Sequence, residues 1–167
     1  IIRNNARLSY LAQELTEAER RMSAYEFMCE MPSFFDLSPK DMALVAAQLQ
    51  IPQELFYAEQ ELGKFSGGEK IKLQLARILL SQPDVIFLDE PSNDLDLATV
   101  RWLEKFIADS KLPVLYISHD EVLLENTANK IIHLEQIKRK TESRATVLKS
   151  NYRDYVENRQ RGLEYQE

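Results

Sequence analysis

Acidic side chains and a histidine follow two apolar runs of the sequence at matching places. The run "VIFLDEP" ends in Asp89 and Glu90, and the run "PVLYISHD" ends in Ser118, His119 and Asp120. Open α/β sheets bind ligands at the carboxyl ends of their strands, so we expect these side chains to lie near one another. An aspartate there suits Mg²⁺, and a neighbouring glutamate can orient and deprotonate an attacking water. The alternative is a strand that simply ends in solvated acids.

A pair of glycines stands at the start of a strong helical pattern. In "FSGGEK", Gly67 and Gly68 precede "IKLQLARILL", although glycine costs a helix interior roughly 1 kcal/mol relative to alanine. Ser66 and Glu69 have the spacing of a capping box, in which serine accepts an orphan amide and glutamate reaches back. Capping does not require two glycines. Bare amides at the positive end of a helix also suit a phosphate, which is the second interpretation of this stretch.

Composition limits the class of protein. The chain has 167 residues, 44% of them hydrophobic and 29% charged, as expected for one globular domain. A net charge of −6 argues against broad electrostatic binding of nucleic acid by the whole domain. Cys29 is the single cysteine, which excludes an internal disulfide framework and favours a reduced thiol. With no apolar run near the roughly 20 residues that span a bilayer, and no signal-peptide pattern, we expect a cytoplasmic protein without a membrane span.

Two kinds of element are predicted to position these groups. "ARLSYLAQ" is typical of a short strand that enters a loop at Gln13, and helical spacing interrupted by prolines follows to about residue 82. The later runs "DVIFLDEP", "PVLYISHD" and "KIIHLEQ" are typical of parallel strands covered on both faces, and we interpret His133 as ordinary strand packing. Between the first two runs lies a predicted helix with a start signal at Asp96. The predicted fold class is α/β, with a largely parallel sheet, helices and a helical subdomain.

These motifs together resemble those of the ATP-binding cassette (ABC) ATPases, which are P-loop NTPase-type domains. "FSGGEK" is similar to the signature motif, "VIFLDEP" to Walker B, "SNDLD" to the D-loop and "ISHD" to the switch histidine. Gln13 after "SYLA" resembles the Q-loop glutamine, and the resemblance extends from about Ala6 to Gln136. It implies part of a cassette over residues 1–137, with a helical subdomain at about 14–82 and an α/β core at about 83–137. Residues 138–167 would begin an inter-cassette linker.

The resemblance implies ATP and Mg²⁺ as cofactors and a second cassette as partner, in the same parent chain or in a homodimer. Two cassettes would sandwich two ATP molecules, with the signature of one contacting the γ-phosphate held by the other. Asp96 would bridge the two cassettes. The residues implied to bind the nucleotide are Gln13, Ser66, Gly67, Gly68, Glu69 and Asp96.

The resemblance also implies which residues carry out hydrolysis. Asp89 would hold Mg²⁺ through water, and Gln13 would reach the metal and the attacking water. Glu90 would be the general base, and His119 would contact the γ-phosphate. An alternative, a non-catalytic cassette-like interaction module, has no need of Glu90 or His119.

The sequence departs from the family in one important respect. No G-x-x-x-x-G-K-[ST] motif, which normally holds the β- and γ-phosphates, occurs in the 167 residues. We therefore expect a truncated cassette that binds Mg-ATP weakly or not at all and is inactive alone. The missing lobe should leave apolar surface uncovered near "VIFLDE" and "VLYISH", which favours self-association. Split heads of chromosome-maintenance ATPases are the alternative, but the distance from Gln13 to Ser66 leaves no room for their coiled coil.

Two further stretches favour one branch of the family. "SNDLD" is similar to the "TNHLD" of ABC-F proteins, and "NYRDYVENRQ" is similar to the segment that follows their first cassette. Asp94, where histidine is common, and Glu69, in place of glutamine, are departures. The resemblance to the ABC-F branch implies ribosomal RNA, transfer RNA and the ribosome as partners of the parent, in translation or in antibiotic resistance by ribosome protection. The alternative is the ATP-binding subunit of a membrane ABC transporter.

Overall fold

The computed structural model of the chain describes residues 5–136 and 143–164. Contacts divide the chain into two units, Ile1–His119 and Asp120–Glu167. The first unit contains the parallel sheet and the helical segment, and the second contains two helices and a hairpin. This division differs from the predicted core of 83–137 and linker of 138–167, and those bounds stay predictions.

The helical segment of the first unit consists of short elements with polar caps. Helix α1 (Glu17–Arg21) begins after Thr16, and α2 (Ala24–Cys29) begins after Ser23, each with a complete capping box. Helix α3 (Pro39–Leu49) ends at Gln50, whose φ of 55° is left-handed. Helix α4 (Gly67–Leu80) confirms the predicted helix after "FSGGEK". Three 3-10 helices complete the segment: Phe34–Asp36, Gln53–Tyr57 and Leu62–Lys64.

Three parallel strands form the sheet of the first unit. They are β1 (Leu8–Leu11), β2 (Val85–Asp89) and β3 (Val114–Ile117), in the order β1-β2-β3, and helix α5 (Leu97–Asp109) connects the last two. The predicted parallel sheet is thus confirmed for these strands. In the register, Leu11 pairs with Leu88, and Asp89 pairs with Ile117. All three strands therefore end at the same edge, which is where the candidate site residues follow.

The two faces of this sheet differ in burial. Because side chains alternate along a strand, Ile86 and Leu88 point to one face and are almost fully buried. On the other face, Tyr10 is 61% exposed, Leu115 is 41% exposed and Ile117 is 63% exposed. The expectation that the strands are covered on both faces is wrong, whereas the expected uncovered apolar surface near β2 and β3 is present. One layer of helices covers one face of the sheet.

The second unit differs from the sequence prediction in its sheet. Helix α6 (Glu121–Thr127) is capped by Asp120 and precedes β4 (Ile131–Gln136), which pairs antiparallel with β5 (Ser143–Leu148). The interpretation of "KIIHLEQ" as a parallel strand is therefore wrong. The two strands are close in the sequence, so pairing them costs less entropy than pairing strands through a crossover connection. Strand β5 lies in the stretch predicted as a linker.

Helix α7 (Tyr152–Glu164) confirms the predicted helix at the end of the chain. The Tyr155 hydroxyl lies 2.7 Å from Nδ1 of His133, and Arg159 Nη1 lies 2.6 Å from its Nε2. His133 therefore does more than fill space in a strand, because its ring joins β4 to α7 through polar contacts. Within residues 5–136 and 143–164, we find no helix with the length and apolarity needed to cross a membrane.

Candidate active site

A cleft of about 190 Å³ lies where β1 and β2 end. Gln13, Gly67 and Glu90 line it, so three residues that are far apart in the sequence meet at one place. Two basic residues, Arg20 and Lys70, line the same cleft together with the acidic Glu14 and Asp94, and Nη2 of Arg20 lies 3.2 Å from Oε2 of Glu14. The sequence analysis did not single out either basic residue, because nothing in their local pattern distinguishes them from solvated surface charges.

Glu90 follows β2 in an unusual backbone conformation. Its φ is 45°, a left-handed value that is uncommon outside glycine and is often found at functional sites. Hydrogen bonds hold this turn: the Glu90 N–H donates to the Ile117 carbonyl at 2.9 Å, and the Asn93 N–H donates to the Glu90 carbonyl at 3.1 Å. The Glu90 residue is only 8% exposed. The carboxylate is therefore placed by the backbone and does not swing freely in solvent.

The structure brings Glu90 and His119 together. This confirms the prediction that side chains at the ends of the two strands lie near one another. Oε2 of Glu90 accepts a hydrogen bond from the backbone N–H of His119 at 3.1 Å. Oε1 lies 3.3 Å from Nε2 of the His119 ring, and that side chain is 97% exposed. One oxygen of the carboxylate is thus used to fix its position. The other faces an exposed imidazole, where water or a phosphate has access.

Asp89 has a partner that the sequence analysis missed. The Tyr10 hydroxyl donates to Oδ2 of Asp89 at 2.7 Å. This hydrogen bond is the largest cause that raises the pKa of Tyr10 above its ordinary value, followed by desolvation and the charge of Asp89. The pairing of Tyr10 with Phe87 puts the tyrosine on the same face as Asp89. Only the register of β1 against β2 shows this, so no local sequence signal could have revealed it.

The donor set around Asp89 limits the metal that it fits. Among the described residues, no group of three or more His, Cys, Asp or Glu side chains is arranged to hold a metal ion. Mg²⁺ in phosphate-transfer sites needs only one or two carboxylates, because phosphates and waters supply its remaining ligands. Asp89, with one oxygen bonded to Tyr10 and the other available, fits a magnesium ion that arrives with a nucleotide.

The predicted capping box at the start of α4 is confirmed. The Ser66 oxygen accepts from the Glu69 N–H at 3.2 Å, and Oε2 of Glu69 accepts from the Ser66 N–H at 2.9 Å. The Ser66 hydroxyl also donates to Oε2 of Glu69 at 2.8 Å. A phosphate at this helix end would have to draw the Ser66 hydroxyl away from the Glu69 carboxylate. The predicted roles of Ser66 and Glu69 toward a nucleotide stay predictions.

The two glycines of this motif are needed for packing inside the chain. A Cβ on Gly67 would lie 2.7 Å from the backbone oxygen of Asp94, and one on Gly68 would lie 2.6 Å from Oγ1 of Thr99. Neither glycine has a positive φ, so backbone conformation is not the reason for them. The sequence analysis considered only capping and phosphate access, and it missed this close approach of α4 to the loop before α5.

Asp96 is the N-cap of α5. Its Oδ1 accepts from the Thr99 N–H at 2.8 Å, and its Oδ2 accepts from the Thr99 hydroxyl at 3.1 Å. These two hydrogen bonds hold the pKa of Asp96 below its ordinary value, and the bond from the Thr99 backbone N–H has the larger effect. The start signal read from the sequence is therefore confirmed, while the role of Asp96 as a bridge between two cassettes stays a prediction.

Comparison with known proteins gives concordant matches. A family model described as ABC transporter matches residues 2–93. Over 109 residues, the chain is 36% identical to ABC transporter F family member 5 of Arabidopsis thaliana, covering 65% of this chain and 15% of that protein. The chain is also 36% identical over 109 residues to Energy-dependent translational throttle protein EttA of Mycobacterium tuberculosis. That alignment covers 65% of this chain and 18% of that protein. The chain thus spans less than a fifth of either relative.

One solved structure shows the same fold. It is the archaeal ribosome recycling factor aABCE1 in complex with the archaeal ribosomal stalk protein aP1, with a TM-score of 0.65. The alignment has 20% sequence identity and covers 97% of this chain and 31% of that chain. At this identity the likeness concerns the fold alone.

Proposed function

Because the chain belongs to the ABC transporter family of ATP-binding cassette proteins, we propose that it is part of an ABC-F-type cassette that binds and hydrolyses ATP to act on the ribosome. The observation that carries the proposal is Glu90, a nearly buried carboxylate that a strained turn holds against an exposed histidine. It opens on a cleft that it shares with Gln13 and Gly67. This is the arrangement that a general base for water attack on a phosphate requires.

Residues at and just after the ends of the three strands have proposed roles in hydrolysis. Bound Mg²⁺ would neutralise charge on the nucleotide phosphates. Asp89 would hold the ion through water, with Tyr10 fixing the orientation of its carboxylate. Glu90 would accept the proton of the attacking water, His119 would contact the γ-phosphate, and Gln13 would reach the metal and that water.

A complete nucleotide site requires residues beyond the 167 of this sequence. The P-loop motif that normally holds the β- and γ-phosphates does not occur in it. Ser66, Gly67 and Gly68, with Glu69 as cap, would contact the γ-phosphate of ATP held by a second cassette, in the same parent chain or in a homodimer. Asp96 would face that second cassette. The chain alone is therefore expected to bind Mg-ATP weakly or not at all.

The names of the relatives support the ribosome as the target. One relative is named as a translational throttle protein, and the structural neighbour is named as a ribosome recycling factor. We propose a cytoplasmic parent that contacts ribosomal RNA or transfer RNA, as a translation factor or as a resistance protein that protects ribosomes. The ATP-binding subunit of a membrane transporter is the less favoured candidate, because the relatives named here are of the F type or act in translation.

Sedimentation with ribosomes tests this proposal. In the complete parent protein, Glu90→Gln should trap the cassettes closed on ATP, so the variant should pellet with ribosomes when ATP is present. Glu54→Gln is the matched control, because Glu54 lies in the 3-10 helix Gln53–Tyr57 and is exposed. A Glu90→Gln variant that pellets with membranes and leaves ribosomes free would contradict the ribosomal part of the proposal.

A further inference from the structure

Two polar residues are buried within the part of the chain that the structure describes: Glu90 and Thr99. The proposed function uses Glu90. It gives no role to Thr99, which lies in the first turn of α5 and is only 9% exposed. A buried hydroxyl needs partners, since desolvating it without a hydrogen bond costs about 1–3 kcal/mol. The contacts of Thr99 therefore indicate what it does.

On one side, Thr99 holds both oxygens of the Asp96 carboxylate. Its N–H donates to Oδ1 at 2.8 Å, and its hydroxyl donates to Oδ2 at 3.1 Å. The backbone bond is an ordinary helix cap that any residue at this position can make. The hydroxyl bond depends on the side chain, and it fixes the rotation of the carboxylate. Asp96 is thereby held in one orientation at the start of α5.

On its other side, Thr99 touches the start of α4. A Cβ on Gly68 would lie 2.6 Å from Oγ1 of Thr99, 3.2 Å from its Cγ2 and 3.5 Å from its Cβ. The threonine side chain thus fills the space that any residue larger than glycine would need. A second contact joins the same two helices, because Nζ of Lys72 lies 4.6 Å from the centre of the Trp102 ring. Two side-chain contacts thus join the first half of α4 to α5.

We propose that Thr99 is a positioning residue that fixes the start of α4 at Gly68 relative to the carboxylate of Asp96. The same hydroxyl oxygen touches the Gly68 side and bonds Asp96, so a displacement of α4 at Gly68 changes the orientation of that carboxylate. The functional meaning rests on the proposed function, in which Gly68 lies at the γ-phosphate and Asp96 at the second cassette. Contact of a phosphate with the signature motif would then change, through Thr99, the orientation of Asp96 at the interface between cassettes.

Substitutions at Thr99 separate the hydroxyl from the shape of the side chain. Thr99→Ser keeps the hydroxyl bond to Asp96 and removes the methyl group. Thr99→Val keeps the shape and removes that bond. Carboxyl chemical shifts followed by NMR against pH in the 167-residue chain should show a higher pKa for Asp96 in Thr99→Val. The rise should be partial, because the larger effect on Asp96 comes from the backbone N–H.

The serine variant is the control for this measurement. Thr99→Ser should titrate like the parent chain, since its hydroxyl can make the same bond. A residue that served only to fill space would give the opposite result, with Thr99→Ser perturbed and Thr99→Val unchanged. That outcome, or equal titration of Asp96 in Thr99→Val and in the parent, would overturn the proposal.

A double-mutant cycle tests the contact with Gly68. Gly68→Ala alone should lower the midpoint of thermal unfolding, because its methyl group collides with Oγ1 and Cγ2 of Thr99. Thr99→Ala removes both atoms, so the double variant should lose less than the sum of the single losses. Strictly additive losses would show that the two residues do not share this space. If Gly68→Ala fails to fold, the titrations of the Thr99 variants still decide the proposal.

None of these measurements uses ATP or ribosomes, so they can fail or succeed independently of the proposed function. In the complete parent, Thr99→Val should reduce ATP hydrolysis severalfold, and Thr99→Ser should restore most of it. If the titrations agree with the prediction but Thr99→Val and Thr99→Ser hydrolyse ATP equally fast, Thr99 is a helix cap without a functional role. That result would contradict the inference but not the ATPase assignment.

Discussion

Replacing Gly67 with alanine places a methyl group where the structure has no room for it. The new Cβ would lie 2.7 Å from the Asp94 carbonyl oxygen, whereas ordinary contact begins at 3.4 Å, so the gap must widen by 0.7 Å (3.4 − 2.7). Asp94 cannot yield easily, because its φ of 58° is already left-handed. The loop is also tied back to the site, since the neighbouring Asn93 N–H donates to the Glu90 carbonyl.

Two opposing terms set the size of the effect. Overpacking of this kind typically costs about 1–3 kcal/mol, and alanine gains at most roughly 1 kcal/mol over glycine in a helix. Because the collision is with a backbone atom, we take the upper part of the overpacking range, about 2–3 kcal/mol, and expect Gly67→Ala to lower the free energy of unfolding by about 1–2 kcal/mol. For a chain of this size, that corresponds to a fall of roughly 2–8 °C in the unfolding midpoint.

Tryptophan fluorescence is the suitable assay. Trp102 is the single tryptophan and lies in α5, the helix that follows the loop containing Asp94. Its ring stacks on Phe106, with centroids 5.5 Å apart, so its emission should change when the first unit unfolds. Gly63→Ala is the matched control, because its Cβ would lie 3.1 Å from the Arg20 carbonyl and needs a smaller shift. A Gly67→Ala chain as stable as the parent, or less affected than Gly63→Ala, would refute the reasoning.

Three further predictions concern the sheet and the isolated chain. Tyr10→Phe should lower stability up to a pH above 10: because the pKa of Tyr10 is raised, its bond to Asp89 contributes fully below the ordinary value of 10.0 and is lost as pH rises through the folded value. Unfolding free energies of both chains against pH check this, and a difference that persists at high pH would contradict it. The isolated chain should bind Mg-ATP weakly, and low-micromolar binding by calorimetry would argue against an incomplete site. The exposed face around Tyr10, Leu115 and Ile117 should drive self-association, and a monomer at all dilutions in the ultracentrifuge would count against that.

Local patterns in the sequence predicted most of the first unit correctly. The apolar runs around Ile86 and Val114 became β2 and β3, because runs of β-branched and other apolar residues favour strands. The caps at Ser66 and Asp96 depend on residues within one helical turn, and both are present. Glu90 and His119 meet because two adjacent parallel strands end at the same edge, which alternation and strand order already imply.

Features that depend on distant parts of the chain were not predictable in this way. The bond from Tyr10 to Asp89 spans 79 residues and needs the register of two strands. The need for glycine at position 68 arises from Thr99 on another helix. The antiparallel pairing of β4 depends on β5, a strand of six residues that directly follows the charged stretch "KRKTE" and was therefore included in the predicted linker. For Tyr10 and Gly68, the decisive partner lies outside the window in which sequence periodicity is informative.

Hydrolysis by the complete parent protein with Glu90→Gln, followed in a single turnover, tests the central claim most directly. Glutamine keeps the size of glutamate and can still accept from the His119 N–H, but it cannot take a proton from water. We predict retained ATP binding with a hydrolysis rate about 10²–10⁴-fold lower, whereas Asp89→Asn should weaken Mg²⁺-dependent ATP binding itself. Hydrolysis by Glu90→Gln at nearly the parent rate would show that Glu90 is not the base and would contradict the account.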